Sequence, residues 1–291
     1  MNNIRPSIGG QWYPDNPELL VQNLEMYLSN VEVEKTDGKL FGIIVPHAGH
    51  MYSGQVAAHA FKCILGMDFD TVIVVSPSHF LPDGNIITTS HDAYQTPLGR
   101  VEIDRVTLNE INNKLMENFE EKLIHVSNDP EHAIEVELPF LQYILKSFRL
   151  VPIMIFNQSS EIASALGHSI AQVIADRNAL LVASSDLSHF YPDKIARNFD
   201  EEMLRRIQAF DPEGVIQVEI LERGFACGRG AISTALYACR ELGANKVRVL
   251  NYANSGEVSG DYDSVVGYGA AVIYQMKLIK EENQAVEYKV G

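Results

Sequence analysis

The amino-acid sequence predicts a single-domain α/β protein whose central sheet is mostly parallel and carries helices on both faces. β-Branched runs such as residues 71–76 show no polar alternation, which is typical of strands buried on both faces. Segments with apolar residues at helical spacing separate these runs throughout the chain, as in parallel α/β folds. No linker, repeat or low-complexity block interrupts the 291 residues, so one domain spanning residues 1–291 is expected.

Apolar spacing and capping residues give the expected elements in chain order. The first helix is expected to begin at Pro17, with Asn16 as its N-cap. Strands are expected at residues 41–45, 71–76, 85–89, 150–156, 179–183, 246–252 and 264–274. Helices are expected at residues 17–28, 55–65, 105–119, 133–147, 161–175, 195–210, 212–221 and 231–242. Residues 91–100 read as a loop, Pro152 predicts an edge position or a strand start, and the polar tail (278–291) is expected to fray.

The composition excludes several classes of protein. The chain is acidic, with 38 Asp and Glu against 23 Lys and Arg and a formal net charge of −15. Such a surface disfavours nucleic acid and anionic membranes as partners. Three cysteines at irregular spacing argue against a disulfide framework. We expect a cytoplasmic protein, because the sequence has neither the apolar segment of a signal peptide nor an apolar run of about 20 residues.

Histidines follow several of the expected strands at the point where each strand ends. His47 lies in the stretch VPHAGHMYSG (residues 45–54), His79 follows Pro77-Ser78, and His189 follows the strand at 179–183. The loop at 224–230 carries Cys227. Because carboxyl ends of parallel strands lie side by side, we expect these side chains to converge. Imidazole and thiolate ligands suit Fe, Cu or Zn and disfavour Mg or Ca.

Two of these residues have neighbours that suggest further chemistry. Asp186 lies close to His189 and is expected to orient it as a base, although Asp186 could instead cap a short turn. Cys227 precedes a helix and Arg229, and both features favour a thiolate that acts as a ligand or a nucleophile. The alternative interpretation of Cys227 is a small buried apolar residue.

Other residues are candidates for the walls of the same pocket. His132 lies in the segment Glu131-His132-Ala133-Ile134-Glu135, which is expected to open a helix, and is a candidate proton shuttle or substrate contact, whereas Glu131 only complements the helix dipole. His50 and Tyr52 follow the first histidine motif and are expected to line the pocket. Trp12 is either a pocket wall or an aromatic plug over the core. The sequence contains no P-loop, GxSxG or HExxH motif.

A set of motifs between about residue 9 and about residue 272 is similar to one known family. The motifs are Trp12-Tyr13-Pro14, Pro46-His47-Ala48-Gly49, Pro77-Ser78-His79, Glu131-His132-Ala133-Ile134-Glu135, Ser184-Ser185-Asp186-Leu187-Ser188-His189, Cys227-Gly228-Arg229 and Leu250-Asn251-Tyr252-Ala253. Together they resemble the Memo family. The resemblance implies the fold of LigB-like extradiol ring-cleaving dioxygenases, which bind non-haem Fe(II).

The resemblance also implies roles for individual residues. It places His47 and His79 on the two metal-binding histidines and Cys227 on the third ligand. Asp186 and His189 fall on the usual pocket pair, and His132 on a further pocket histidine. Copper or iron binding and redox chemistry are implied. Phosphotyrosine-containing receptor segments are implied as ligands in animals, and radical-SAM and AMMECR-type partners in microbes. Cys227 stands where the dioxygenases have a carboxylate, and a thiolate favours Cu(I) or Zn.

Three functions are therefore compared. The first is a metal-dependent, dioxygenase-like oxidoreductase of unknown substrate. Its ion would be Fe(II) or Cu, or alternatively Zn, held by His47, His79 and Cys227. Its catalytic residues would be His189, Asp186 and His132. The second is a binding or adaptor protein that uses the same pocket for a peptide or a small molecule. The third is a metal-free hydrolase that uses Cys227, His189 and Asp186. The pocket residues expected in each case are His50, Tyr52, Trp12 and Arg229.

Overall fold

Strands alternate with helices along the chain, as the apolar spacing predicts. The computed structural model describes residues 3–34, 38–145 and 147–276. Its strands are β1 (Ile4–Arg5), β2 (Gly38–Val45), β3 (Thr71–Pro77), β4 (Ile86–Thr89), β5 (Ala93–Thr96), β6 (Gly99–Glu102), β7 (Leu123–Val126), β8 (Arg149–Ile155), β9 (Ala179–Ser184), β10 (His189–Tyr191), β11 (Lys246–Asn254) and β12 (Val265–Met276). Its helices are α1 (Pro17–Ser29), α2 (His50–Cys63), α3 (Arg105–Phe119), α4 (Leu138–Ile144), α5 (Ser160–Ile174), α6 (Asp193–Gln208), α7 (Pro212–Ile220), α8 (Arg229–Glu241) and α9 (Gly256–Ser259), and a 3₁₀ turn spans Glu135–Glu137.

One large sheet runs through the described residues in the order β10-β12-β2-β9-β3-β8-β4-β7, and β11 also pairs with β12. The four central strands β2, β9, β3 and β8 are parallel, which confirms the predicted α/β class. Strands β12 and β4 run antiparallel to their central neighbours, so the complete sheet is mixed. Strands β1, β5 and β6 form a separate small sheet.

Burial explains why the central strands read as continuous apolar runs. Every residue of β3 is buried, because helices cover both faces of the sheet. Helix α8 packs on α5 and against β9 and β3, whereas α2 packs against β2 and β12 together with α1 and α4. Gly42 of β2 allows close packing, since a Cβ there would lie 3.2 Å from the Sγ of Cys239 in α8.

The parallel strands bring three chain segments to one edge of the sheet. Val45 at the end of β2 pairs with Ser184 at the end of β9, and Val75 of β3 pairs with the preceding residue, Ala183. The segments that carry His47, His79 and Asp186 therefore leave the sheet side by side, as expected at the carboxyl edge of an α/β sheet.

Several local predictions are wrong. Residues 91–100, predicted as a loop, contain the hairpin strands β5 and β6, which are too short to show a clear alternation. Helix α2 begins at His50 rather than at residue 55, because Gly49 serves as its N-cap. The helix predicted at 133–147 is divided into the 3₁₀ turn and α4. The N-cap prediction is confirmed, since the Asn16 side chain accepts a hydrogen bond from the backbone N–H of Leu19.

Pro152 lies inside β8, an interior strand, and not at an edge or a strand start. Strand β4 pairs with β8 only at Met154 and Ile155, so the missing N–H of Pro152 breaks no backbone pair with β4. Its carbonyl oxygen accepts a hydrogen bond from the Thr88 hydroxyl instead. The predicted polar tail lies outside the described residues. Within the described ranges, no helix combines the length and apolar character needed to cross a membrane.

Candidate metal centre

Three predicted donor side chains meet at the carboxyl edge of the sheet. His47 follows β2, His79 follows β3, and Cys227 immediately precedes the N-cap of α8. One ligand atom of each residue lies within 4.8 Å of the others. The Sγ atom of Cys227 is 3.2 Å from Nε2 of His47, and the two imidazole centroids are 5.3 Å apart. Two imidazoles and a thiol at this separation form a group that could hold a transition-metal ion.

Both histidines are held through the ring nitrogen that does not face the centre. Nδ1 of His47 is 2.9 Å from the Ser184 hydroxyl oxygen. Nδ1 of His79 is 2.9 Å from Oε1 of Glu131, whose other oxygen accepts the backbone N–H of His79. Each hydrogen bond orients its ring and leaves Nε2 available, which is the usual arrangement of metal-binding histidines. The residues present therefore fit a metal ion.

Asp186 fixes the turn that carries His47. Its Oδ1 accepts the backbone N–H groups of His47 and Ala48, at 2.9 and 3.2 Å. Burial raises the pKa of Asp186 to about 7, although these two hydrogen bonds act in the opposite direction. The prediction that Asp186 orients His189 is wrong, because Nδ1 of His189 donates to the carbonyl of Leu187 at 2.8 Å. The Asp186 carboxylate instead binds the turn that follows the neighbouring strand β2. Proximity in the sequence does not reveal this partner.

The thiol of Cys227 differs from the expected thiolate. Burial raises its pKa well above the ordinary value, and the nearby charge of Asp186 raises it further. Arg229 does not offset this effect, because its guanidinium pairs with Glu219 of α7 at 2.5 Å. The third function predicted a thiol beside His189, whereas the imidazole in contact with the thiol is that of His47.

Two buried residues behind His47 were not predicted. The Ser184 hydroxyl lies 2.8 Å from Oε1 of Glu137 and 2.9 Å from the carbonyl of Ala133. Burial raises the pKa of Glu137 well above its usual range, and the hydrogen bond from the Ser184 hydroxyl only partly opposes this shift. The only sequence signal was the spacing of carboxylates at 131, 135 and 137 in an otherwise apolar segment.

Glu131 does more than complement a helix dipole. Besides His79, its Oε1 accepts the backbone N–H groups of His132 and Ala133. Burial alone would raise the pKa of Glu131, but the hydrogen bonds and charge of His79, together with the backbone N–H of Ala133, outweigh it and the pKa is lowered. The Glu131 backbone is held in turn by Arg5, which bonds its carbonyl oxygen. Arg5 and Glu131 are 126 positions apart, so the sequence gives no sign of this contact.

The four imidazoles at this edge influence one another. Burial is the largest cause that lowers the pKa of His47. The positive charges that His132, His79 and His189 would carry lower it further. His132 is also largely buried, and burial lowers its pKa to about 4. The pKa of His79 is raised despite burial, because the hydrogen bond and charge of Glu131 dominate. The four histidines predicted at the site therefore belong to one cluster: His47, His79, His132 and His189.

A family model described as Memo-like protein matches residues 5–272. The chain belongs to the Memo family. A MEMO1 family protein from Nitrosopumilus maritimus is 35% identical over 274 residues, covering 91% of this chain and 98% of the relative. A second, from Methanopyrus kandleri, is 36% identical over 279 residues, covering 92% of this chain and 97% of the relative.

A solved structure supports the fold of this Memo-family chain. The crystal structure of the uncharacterized protein JW3007 from Escherichia coli K12 aligns with a TM-score of 0.51 at 12% identity, and covers 80% of this chain and 100% of that protein. At this identity the similarity concerns the fold alone. The resemblance inferred from the motifs is thus confirmed at the level of the family.

The predicted pocket residues of the Memo-family chain fall into two groups. Trp12, His50 and Tyr52 line a cavity of about 660 Å³ beside the metal-ligand group. Trp12 stacks on His132 with ring centroids 3.9 Å apart, so it forms a wall of this region. His50 is buried, and its Nε2 donates to the carbonyl of Val136. Arg229 is not among the described residues that line the cavity, because its side chain pairs with Glu219.

Proposed function

We propose that this Memo-family chain is a metal-dependent oxidoreductase in which Nε2 of His47, Nε2 of His79 and Sγ of Cys227 hold one Fe or Cu ion. The observation that carries the proposal is the pair of Nδ1 hydrogen bonds, to Ser184 and to Glu131. They direct two imidazoles at one thiol and fix the tautomer that leaves Nε2 free. When bound, such an ion supplies redox chemistry and an open coordination position.

The surrounding side chains suit proton transfer and the exclusion of water. His189 donates from Nδ1 to the Leu187 carbonyl, which leaves its Nε2 free to accept a proton from a bound molecule. Asp186 holds the His47 turn through two backbone N–H groups and thereby positions the first donor. Trp12 and His132 form a stacked wall on the side of His79, since the His132 and His79 centroids are 4.9 Å apart.

Zinc is the alternative ion, because an imidazole–imidazole–thiolate set also suits Zn²⁺. Elemental analysis after anaerobic reconstitution with Fe(II), Cu(I) or Zn(II) discriminates the three ions. We expect about one equivalent of one ion in the native protein and a loss of most of it in the His47→Ala, His79→Ala and Cys227→Ala variants. His59→Ala and Cys63→Ala are matched controls, since His59 bonds a carbonyl of its own helix and Cys63 lies beside it in α2. Unchanged metal content in both His47→Ala and Cys227→Ala would contradict the proposal.

A binding protein without turnover is the second candidate, and the cavity beside the donors supports it. The two functions differ in one measurement: O₂ consumption that requires both the metal and Cys227 indicates an oxidoreductase, whereas ligand binding with no consumption indicates a binding protein. The metal-free hydrolase is disfavoured, because the thiol faces His47 and its raised pKa opposes the formation of a nucleophilic thiolate. Three expectations stay predictions: the AMMECR-type and radical-SAM partners, the cytoplasmic location, and the single domain over residues 1–291.

A further inference from the structure

The loop that carries Cys227 rests on the end of strand β9. The carbonyl of Asp186 accepts the backbone N–H of Cys227 at 3.2 Å, and the N–H of Asp186 lies 3.2 Å from Sγ. The Ser185 hydroxyl accepts the backbone N–H of Gly228 at 2.9 Å. These contacts hold one side of the loop, and they come from the segment that also binds the His47 turn.

The other side of the loop is held by Gln158, which lies between β8 and α5. Its Nε2 donates to the carbonyl of Cys227, and its Oε1 accepts the backbone N–H of Gly230, each at 2.8 Å. An amide presents a donor and an acceptor in one plane, so both bonds fix the same side-chain orientation. One side chain therefore ties Cys227 to the first turn of α8.

Two glycines let the loop approach both supports. A Cβ at Gly228 would lie 2.7 Å from the carbonyl oxygen of Ser184, and a Cβ at Gly230 would lie 3.0 Å from Cβ of Gln158. Side chains at these positions would displace the loop from β9 or from Gln158. The sequence Cys227-Gly228-Arg229-Gly230 is thus explained by close packing on these two supports.

We infer that Gln158 is a positioning residue that directs the Cys227 thiol at the candidate metal centre. This inference rests on the proposed function, because it concerns the support of one of the three proposed ligands. His47 and His79 are each oriented through Nδ1 by a neighbouring side chain. A thiol has no second ring atom through which it could be oriented, so the position of its backbone determines where Sγ points. Gln158 supplies for Cys227 what Nδ1 hydrogen bonds supply for the histidines.

The first test uses metal-free protein and the alkylation of cysteines by iodoacetamide, followed residue by residue by mass spectrometry. Gln158→Met keeps a side chain of similar length and removes both hydrogen bonds. Cys227, which is partly buried, should then react about five- to thirty-fold faster than in the native protein, because the loop opens more often. Cys239 of α8 is fully buried and should stay unreactive, so it reports whether the variant is folded.

Gln142→Met is the matched control for this test. The Gln142 amide also bonds two groups, the carbonyl of Gly99 and the hydroxyl of Thr96, and both lie in the β5–β6 hairpin. An unchanged Cys227 rate in Gln158→Met, or an equal increase in Gln142→Met, would overturn the inference. If Cys239 also reacts in Gln158→Met, Gln158→Asn replaces it, because its amide is one methylene shorter and cannot bond both groups.

The second test loads the native protein and each variant with Co(II), whose bond to a thiolate gives an intense charge-transfer absorption in the near ultraviolet. We expect this absorption in the native protein and in Gln142→Met. Gln158→Met should bind Co(II) about ten- to a hundred-fold more weakly, with less absorption for each bound ion. A role in stability alone would lower the unfolding temperature and leave the absorption of the bound ion unchanged.

The two tests separate this inference from the proposed function. Native protein that shows the absorption, together with an identical absorption and affinity in Gln158→Met, overturns the role of Gln158 and leaves the three ligands in place. Native protein without the absorption contradicts Cys227 as a ligand, and with it the role of Gln158 at a metal centre. The alkylation rates, measured without metal, report independently whether Gln158 holds the loop.

Discussion

The thiol of Cys227 lies 3.2 Å from Nε2 of His47, although the two residues are 180 positions apart. The contact depends on the segment after β9. Asp186 in this segment binds the His47 turn through Oδ1, and its backbone N–H and carbonyl contact Sγ and the backbone N–H of Cys227. Asp186 therefore joins two of the proposed ligands through three polar groups.

Metal binding is expected to stabilise the native protein only when the donor set is intact. A free metal concentration about a hundred-fold above the dissociation constant should add roughly 2.7 kcal/mol to the free energy of unfolding. Thermal unfolding of metal-free and reconstituted protein measures this gain. We expect Cys63→Ala to retain the gain and Cys227→Ala to lose it. Equal stabilisation of the two variants would show that the ion binds elsewhere.

Ser184→Ala should weaken metal binding without removing a ligand. The change deletes the hydroxyl beside Nδ1 of His47 and leaves the imidazole without its orienting partner. Loss of such a partner typically lowers metal affinity about ten- to a hundred-fold. Competition with a chelator of known affinity measures the effect. Ser233→Ala serves as a control, because this buried serine of α8 bonds the carbonyl of Pro212 away from the centre; a similar loss of affinity in the control would remove Ser184 from its proposed role.

Arg5→Met should destabilise the fold strongly. Arg5 is buried and pairs with Asp129 and Glu135, the two carboxylates on either side of Glu131. Removing one partner of a buried ion pair leaves uncompensated charge and reduces the free energy of unfolding by about 3–5 kcal/mol. Urea denaturation provides the measurement. Arg205→Met, which breaks an exposed pair with Glu202, should change stability by less than about 1 kcal/mol. Similar losses in both variants would contradict the assignment.

His50 should make stability depend on mildly acidic pH. Burial lowers its pKa to about 4, below the ordinary value of 6.5, so the unfolded chain binds a proton that the native state rejects. The stability from this residue is complete above pH 6.5 and is lost as pH falls toward 4. Between about pH 7 and pH 5 the loss is about 2 kcal/mol.

His50→Gln keeps a donor for the Val136 carbonyl but does not titrate. The difference in unfolding free energy between the two pH values should therefore shrink by about 2 kcal/mol in this variant. An unchanged difference would mean that His50 is not a source of the acid sensitivity.

The sequence by itself determined the alternation of strands and helices and the residue types of the centre. Buried parallel strands impose continuous apolar runs, and a strand that ends in Pro and His must place an imidazole near the sheet edge. These local rules predicted that His47, His79, His189 and Cys227 converge, and the family resemblance implied His47, His79 and Cys227 as the ligand set. The structure brings one ligand atom of each of these three residues within 4.8 Å of the others.

Only the tertiary structure decided how these residues are supported. Ser184, Glu131 and Arg5 contact the centre or its scaffold through hydrogen bonds that span 137, 52 and 126 positions. Asp186 was assigned to His189, its neighbour in sequence, but bonds the His47 turn on the adjacent strand. Arg229 was assigned to Cys227 but pairs with Glu219. A hydrogen-bond partner is selected by direction and distance in the packed fold, and neither quantity is encoded by residue type or spacing along the chain.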